Sequence, residues 1–202
     1  MTTIIGRKLP DWTLQLAWDK RTTLWNWMYE DISNKVIQLD NILLGKAWDS
    51  LSVNLIKELY EEWKLSKWKD KLITIENEIY MITINSILDA IDFYNFVKKN
   101  CNIKNINNED NEPSISFIIL HKDFQIQIDN NWQVSELTND WILTIWTWSP
   151  IALTLHWICK EWKFKTDLDF DDYFNVISSM DAYTSKKYNV IELLPEILIY
   201  NK

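Results

Sequence analysis

The chain has 202 residues, 47% of them hydrophobic and 25% charged, with a formal net charge of −8. That length suits one domain with a substantial core, and that apolar content excludes an intrinsically disordered chain. The acidic balance, with no Lys/Arg stripe, argues against a nucleic-acid-binding surface, and no apolar run reaches the length of a membrane span.

In chain order, residues 2–9 and 13–19 are short strands around a hairpin turn at Leu9-Pro10-Asp11-Trp12. Residues 35–39 and 42–46 pair around Asp40-Asn41. The period then changes: over residues 49–62, Leu51, Leu55, Ile56 and Leu59 share one helical face. Residues 63–71 read as a polar connector, and 72–84 as an ambiguous hairpin. A helix over 86–99 carries Ile87, Ala90, Ile91, Tyr94 and Val97 on one face, and an Asn-rich loop follows over 100–113. Four strands come next, at 114–120, 124–128, 133–136 and 142–145. Ser149-Pro150 opens a helix to about residue 161, with Ser as N-cap and Pro at the first helical position. A further helix over about 169–180 has an acidic first turn, and strands at 188–193 and 196–200 flank Pro195. This order predicts an α+β fold in one domain spanning 1–202: two antiparallel sheets between two helical layers, a four-layer αββα sandwich.

Thirteen tryptophans accompany only two glycines, Gly6 and Gly45. Average composition gives roughly 7% Gly, about fourteen at this length. Trp12 follows Asp11, Trp27 follows Asn26, Trp132 follows Asn131 and Trp141 follows Asp140. Asn-Gly and Asp-Gly are favoured turn pairs because Gly reaches φ > 0 freely, whereas Asn-Trp and Asp-Trp have no such use. Some bacterial lineages decode UGA as glycine, and a translation that reads UGA as tryptophan produces this pattern. On that reading Trp12, Trp132 and Trp141 fall in or beside turns, and Trp48 and Trp148 crowd the site described next. The alternative is a tryptophan-rich protein.

Met1-Thr2-Thr3-Ile4-Ile5-Gly6, followed by Leu16-Ala17-Trp18-Asp19-Lys20-Arg21-Thr22-Thr23, resembles the opening of a proteasome β subunit or of the HslV peptidase. Lys35-Val36, Ala47-Trp48-Asp49, Ile145-Trp146-Thr147-Trp148-Ser149-Pro150-Ile151-Ala152 and Asp181-Ala182-Tyr183-Thr184 continue the resemblance in order. No segment is specific alone, but together they cover nearly the whole chain. Thr147 and Thr184 replace the family's serines, and 63–84 and 100–113 are longer than its links. The resemblance implies an N-terminal nucleophile hydrolase fold and a threonine peptidase, without a cofactor or metal. Removal of Met1 exposes Thr2, whose hydroxyl attacks while its free amine takes the proton. Lys35 is the implied cation beside that hydroxyl, and Asp19 holds Lys35. Thr147, Asp181 and Thr184 support the amine, and the backbone N–H of Trp48 faces the oxyanion. A glycine at 48 admits the substrate closely; a tryptophan obstructs it. The implied partners are further copies in a ring, a separate ring ATPase and polypeptide substrates, in the cytoplasm, with no nucleic acid and no membrane.

Other chemistry fails on the residues. His121 and His156 have no neighbouring nucleophile pattern. Asp167, Asp169, Asp171 and Asp172 lack the Gly and closing Glu of a calcium loop and read as a helix start. Cys101 and Cys159 have no metal spacing, and a disulfide between them is neither supported nor excluded. The competing function is a non-catalytic acidic binding or inhibitor protein, with its tryptophans lining a binding face.

Overall fold

The fold is that of a computed structural model, which describes all residues except 1–2, 25–26, 31–33, 48–50, 72–81, 105–114, 130–133, 137–141, 146–148, 163–167, 181–183 and 196–202. Two antiparallel sheets are formed. The first has the order β10-β1-β2-β11, built from Leu143–Ile145, Ile4–Lys8, Leu14–Asp19 and Tyr188–Leu193. The second has the order β5-β6-β7-β8-β9, built from Val36–Leu39, Ile42–Ala47, Ser116–Leu120, Gln125–Ile128 and Val134–Glu136. A separate ribbon pairs β3 (Arg21–Leu24) with β4 (Trp27–Glu30), which the sequence pattern did not indicate. Trp27 begins β4 and is not a turn residue.

Side-chain parity shows how the sheets stack. In β6, Ile42 and Leu44 join one core cluster while Leu43 and Ala47 join another; in β7, Phe117 and Ile119 part from Ile118 and Leu120 in the same way. A strand apolar on both faces is covered on both faces. One face meets α1 (Val53–Lys71) and α2 (Ile87–Lys104), through Ile56, Leu59, Tyr60 and Trp63 and through Ala90, Phe93, Tyr94 and Val97. The other meets Ile4, Leu14 and Leu16 of the first sheet. That sheet turns Ile5 and Ala17 toward Ala152 of α3 (Ser149–Trp162) and Phe170, Tyr173 and Phe174 of α4 (Phe170–Met180). The layers are therefore helix, sheet, sheet, helix, as the element order predicts. The sheets approach closely at Gly6 and Gly45: a Cβ on Gly6 would lie 3.3 Å from Leu120 of the second sheet, and one on Gly45 would lie 3.1 Å from Ile4 of the first.

The connector expected over 63–71 is instead the second half of α1. Trp63 stands seven residues after Ile56 on the same stripe, 1% exposed, with its indole N–H donating to Asp92 at 2.6 Å. The polar residues that suggested a connector are the solvent face, where Lys64 pairs with Asp40 and Glu61, and Lys67 with Asp92. The helix starts follow local chemistry. Ser52 Oγ accepts the Leu55 N–H, and Ser86 and Asp89 bond reciprocally before α2. Asp169 and Asp172 each accept the other's backbone N–H, so the acidic cluster is a capping pair. α2 runs to Lys104, past the expected end, because Cys101 continues its buried stripe. The hairpin expected within 72–84 and the strand at 196–200 lie largely or wholly outside the described residues.

The first hairpin turn carries unusual backbone. Leu9 N–H donates to the Thr13 carbonyl at 2.8 Å, Trp12 N–H to the Leu9 carbonyl at 2.9 Å, and Thr13 N–H to Asp11 Oδ1 at 3.0 Å. This is a three-residue loop whose last residue, Trp12, has φ 72°. Such loops favour glycine at that position. Asp40, at φ 46° in the β5–β6 turn, is a residue type that tolerates the region; a tryptophan is not. The Lys8 ammonium lies 3.6 Å from the Trp12 ring centroid, an exposed contact worth about 0.5–1 kcal/mol. The left-handed backbone costs a residue with a Cβ roughly 1–2 kcal/mol, so strain outweighs the contact.

Trp63 anchors the core of the helix pair, in ring contact with Tyr60 and Phe93. Trp63→Ala is expected to cost about 3–5 kcal/mol in urea unfolding, while an exposed change such as Leu88→Ala, 77% exposed, stays within about 0.5 kcal/mol.

Candidate active site

Four chain segments reach one end of the two sheets. β1 is preceded there by Thr3, β2 ends there at Asp19, β5 is preceded by Lys35, and β11 is preceded by Thr184 and Ser185. The pairing of Ile4 with Trp18 sets Thr3 opposite Asp19, and Asp19 N–H donates to the Thr3 carbonyl at 3.1 Å. The Lys35 carbonyl accepts the Lys46 N–H at 2.9 Å, which extends the β5–β6 ladder and fixes the lysine backbone.

The Asp19 carboxylate is fully buried and Lys35 nearly so. Asp19 Oδ1 accepts the Thr3 backbone N–H at 2.7 Å and the Lys35 ammonium at 3.2 Å, while Oδ2 accepts the Arg21 N–H at 3.1 Å. Lys35 Nζ also donates to the Asp19 carbonyl at 3.0 Å and to the Arg21 carbonyl at 2.7 Å. Burial pushes the Asp19 carboxyl above its usual 3.8, and the Lys35 charge and the Thr3 and Arg21 N–H groups draw it part of the way back. The pair ties one sheet to the other, since Asp19 ends a strand of the first and Lys35 opens a strand of the second.

Of the residues named from the sequence, Asp19 and Lys35 are in contact. Thr184 is buried beside them, its hydroxyl 2.9 Å from that of Thr3, with either oxygen able to donate. Thr2, Trp48, Thr147 and Asp181 lie outside the described residues, as do Trp132, Trp141 and Trp148. Thr3 and Ser185 were missed. Thr3 is 6% exposed and joined to Asp19 through both main-chain groups; its signal was the doubled threonine, read only for its first member. Ser185, 2% exposed, caps the turn into β11 by accepting the Lys187 N–H, a local role with no spacing signature.

The histidines serve elsewhere. His156 Nδ1 is 2.7 Å from the Tyr173 hydroxyl, and His121 Nδ1 accepts the Asp123 N–H, with burial holding its pKa below 6.5. Among the described residues no group of His, Cys, Asp and Glu could hold a metal, no disulfide joins Cys101 to Cys159, and no helix is long and apolar enough to cross a membrane.

No family model and no curated protein matches the chain in sequence. Solved structures do match. The fold is similar to that of eukaryotic HslV from Trypanosoma brucei, with a TM-score of 0.64 at 15% identity over 96% of this chain and 99% of that one. It is similar to BPH of Thiobacillus denitrificans, solved in complex with epoxomicin, with a TM-score of 0.64 at 12% identity over 96% and 98%. It is also similar to Anbu, an ancestral β-subunit, from Yersinia bercovieri, with a TM-score of 0.56 at 12% identity over 94% and 80%. The chain has the α+β sandwich fold of these proteins.

Removing Lys35 strands a buried carboxylate. Lys35→Met is expected to cost about 3–5 kcal/mol at pH 7, and adding Asp19→Asn is expected to return more than about 1 kcal/mol of it. The pH dependence follows from the raised carboxyl. The folded Lys35→Met variant binds a proton more readily than its unfolded chain, so its stability rises as pH falls from 7 toward the raised folded pKa. Urea titrations across pH check both; a variant whose stability falls as the pH is lowered from 7 contradicts the stranded-charge account.

Proposed function

We propose that the chain is a threonine-type endopeptidase subunit of a self-compartmentalising protease, similar to the proteasome and HslV, that degrades unfolded polypeptides. The observation that carries this reading is the buried Asp19–Lys35 pair bonded to Thr3, one residue after Thr2. A buried ion pair is weak evidence for stability, so its position next to the chain's first threonines calls for a chemical reason. Thr184, bonded to Thr3, belongs to the segment that begins at Asp181.

After removal of Met1, the Thr2 hydroxyl oxygen attacks the scissile carbonyl carbon and its proton passes to the α-amine. A free α-amine has a pKa near 8, suited to that task at neutral pH. The Lys35 ammonium stabilises the developing alkoxide, and Asp19 keeps the lysine charged and oriented. The tetrahedral oxyanion takes the backbone N–H of residue 48. The C–N bond then breaks, the protonated α-amine of Thr2 passes that proton to the leaving amine, and an ester to Thr2 remains. Water, activated by the same amine, hydrolyses it. Thr147, Asp181 and Thr184 hold the amine by hydrogen bonds. Ring assembly from copies of this chain would confine the reaction, and a separate ring ATPase in the cytoplasm would deliver unfolded chains.

Intact mass of the purified protein is expected to lack Met1, and the native assembly to be far larger than the 24.3 kDa chain. Thr2→Ala is expected to reduce peptide hydrolysis by about 10³-fold or more without changing assembly mass. Retained Met1 together with hydrolysis indifferent to Thr2→Ala would sink the peptidase reading.

A further inference from the structure

We infer that residues 12 and 18 are glycines in the working protein and that residue 63 is a true tryptophan. The thirteen tryptophans as written then stand for two different amino acids. This inference rests on backbone and packing and is independent of the peptidase reading.

Three of the tryptophans sit where the surroundings judge the side chain, each by a different criterion. At residue 12 the criterion is backbone. The turn from Leu9 to Thr13 closes only with its last loop residue left-handed, at φ 72°, and the ring there is 53% exposed, so no burial offsets the strain. The turn's own bond is made by the residue 12 backbone N–H to the Leu9 carbonyl, and the ring's contact with the Lys8 ammonium is weaker than the strain it accompanies.

At residue 18 the criterion is polar satisfaction. Trp18 lies in β2 between β1 and β11 and is 6% exposed, facing the layer between the sheets with Leu14 and Leu16. Its indole N–H is buried with no hydrogen-bond partner among the described residues. Buried indoles ordinarily find an acceptor, and the side chains that cluster with Trp18 among the described residues are apolar. The two glycines that remain as written, Gly6 and Gly45, both lie in this layer, where the sheets come too close for an added Cβ without a shift. Residue 18 is flanked by Ala17 and by Asp19, whose carboxylate orders the end of the sheets.

Residue 63 meets every criterion the others fail. It is helical, fully buried, in ring contact with Tyr60 and Phe93, and its N–H is bonded to Asp92. Glycine there would leave an unfilled core and an interrupted helix.

The gene decides first. UGA codons at 12 and 18 with UGG at 63 are expected; UGG at either of the first two, or UGA at 63, overturns the inference. The full-length protein gives the physical check. Trp12→Gly is expected to raise Tm by about 2–4 °C relative to the chain as written. The double change with Trp18→Gly is expected to melt higher still, and Trp63→Gly to abolish cooperative melting. A double variant that melts below the chain as written, or a Trp63→Gly protein that melts normally, overturns it.

Discussion

The carboxylate of Asp19 is the group on which the arrangement depends. It is out of reach of water, so its charge must be met by the protein, and three donors from three segments do so: the Thr3 and Arg21 amides and the Lys35 ammonium. Each donor fixes a different relation. Thr3 sets where β1 begins, Arg21 how the chain leaves β2, and Lys35 how the second sheet stands against the first. A hydrophobic substitute for the pair could fill the same space, and such replacements are often no less stable. What the apolar version could not do is hold a positive charge beside the start of β1.

The surrounding packing makes that charge durable. β2 is central in its sheet, between β1 and β11, and both its faces are covered, one by the second sheet and one by α3 and α4. An ammonium there is held by the Asp19 and Arg21 carbonyls as well as by the carboxylate. Those bonds orient as much as they neutralise, because each of them points the nitrogen from fixed main chain.

The layer order was legible in the sequence because buried strands and amphipathic helices leave distinct periods. The apolar run of β7 and the stripe of α2 could hardly be read otherwise. The second half of α1 was not legible, because Glu61, Glu62, Lys64 and Lys67 mask the inward-facing Trp63, and a large indole does the work of several aliphatic residues. β3 and β4 were missed because Trp25-Asn26 between them includes no Gly or Pro. Within the site, Asp19 and Lys35 were legible only through a resemblance, since a charged residue by itself suggests solvent. Thr3 escaped because its bonds to Asp19 are made by backbone, which has no sequence signature. Trp12 was read correctly from its neighbour alone: Leu9-Pro10-Asp11 dictates the turn whatever residue follows.

The hairpin between β1 and β2 acts as a ruler. Five residue pairs, from Lys8–Leu14 to Ile4–Trp18, separate its turn from the far end, where Thr3 meets Asp19. Pairing advances in whole residues, and side chains alternate faces at each step. Which residue lies against Asp19 is thus counted out from Pro10, Asp11 and residue 12 at the other end of the hairpin. A turn one residue shorter or longer would set a different residue against the same charged pair, so a loop at one end of a hairpin decides what meets a buried charge at the other.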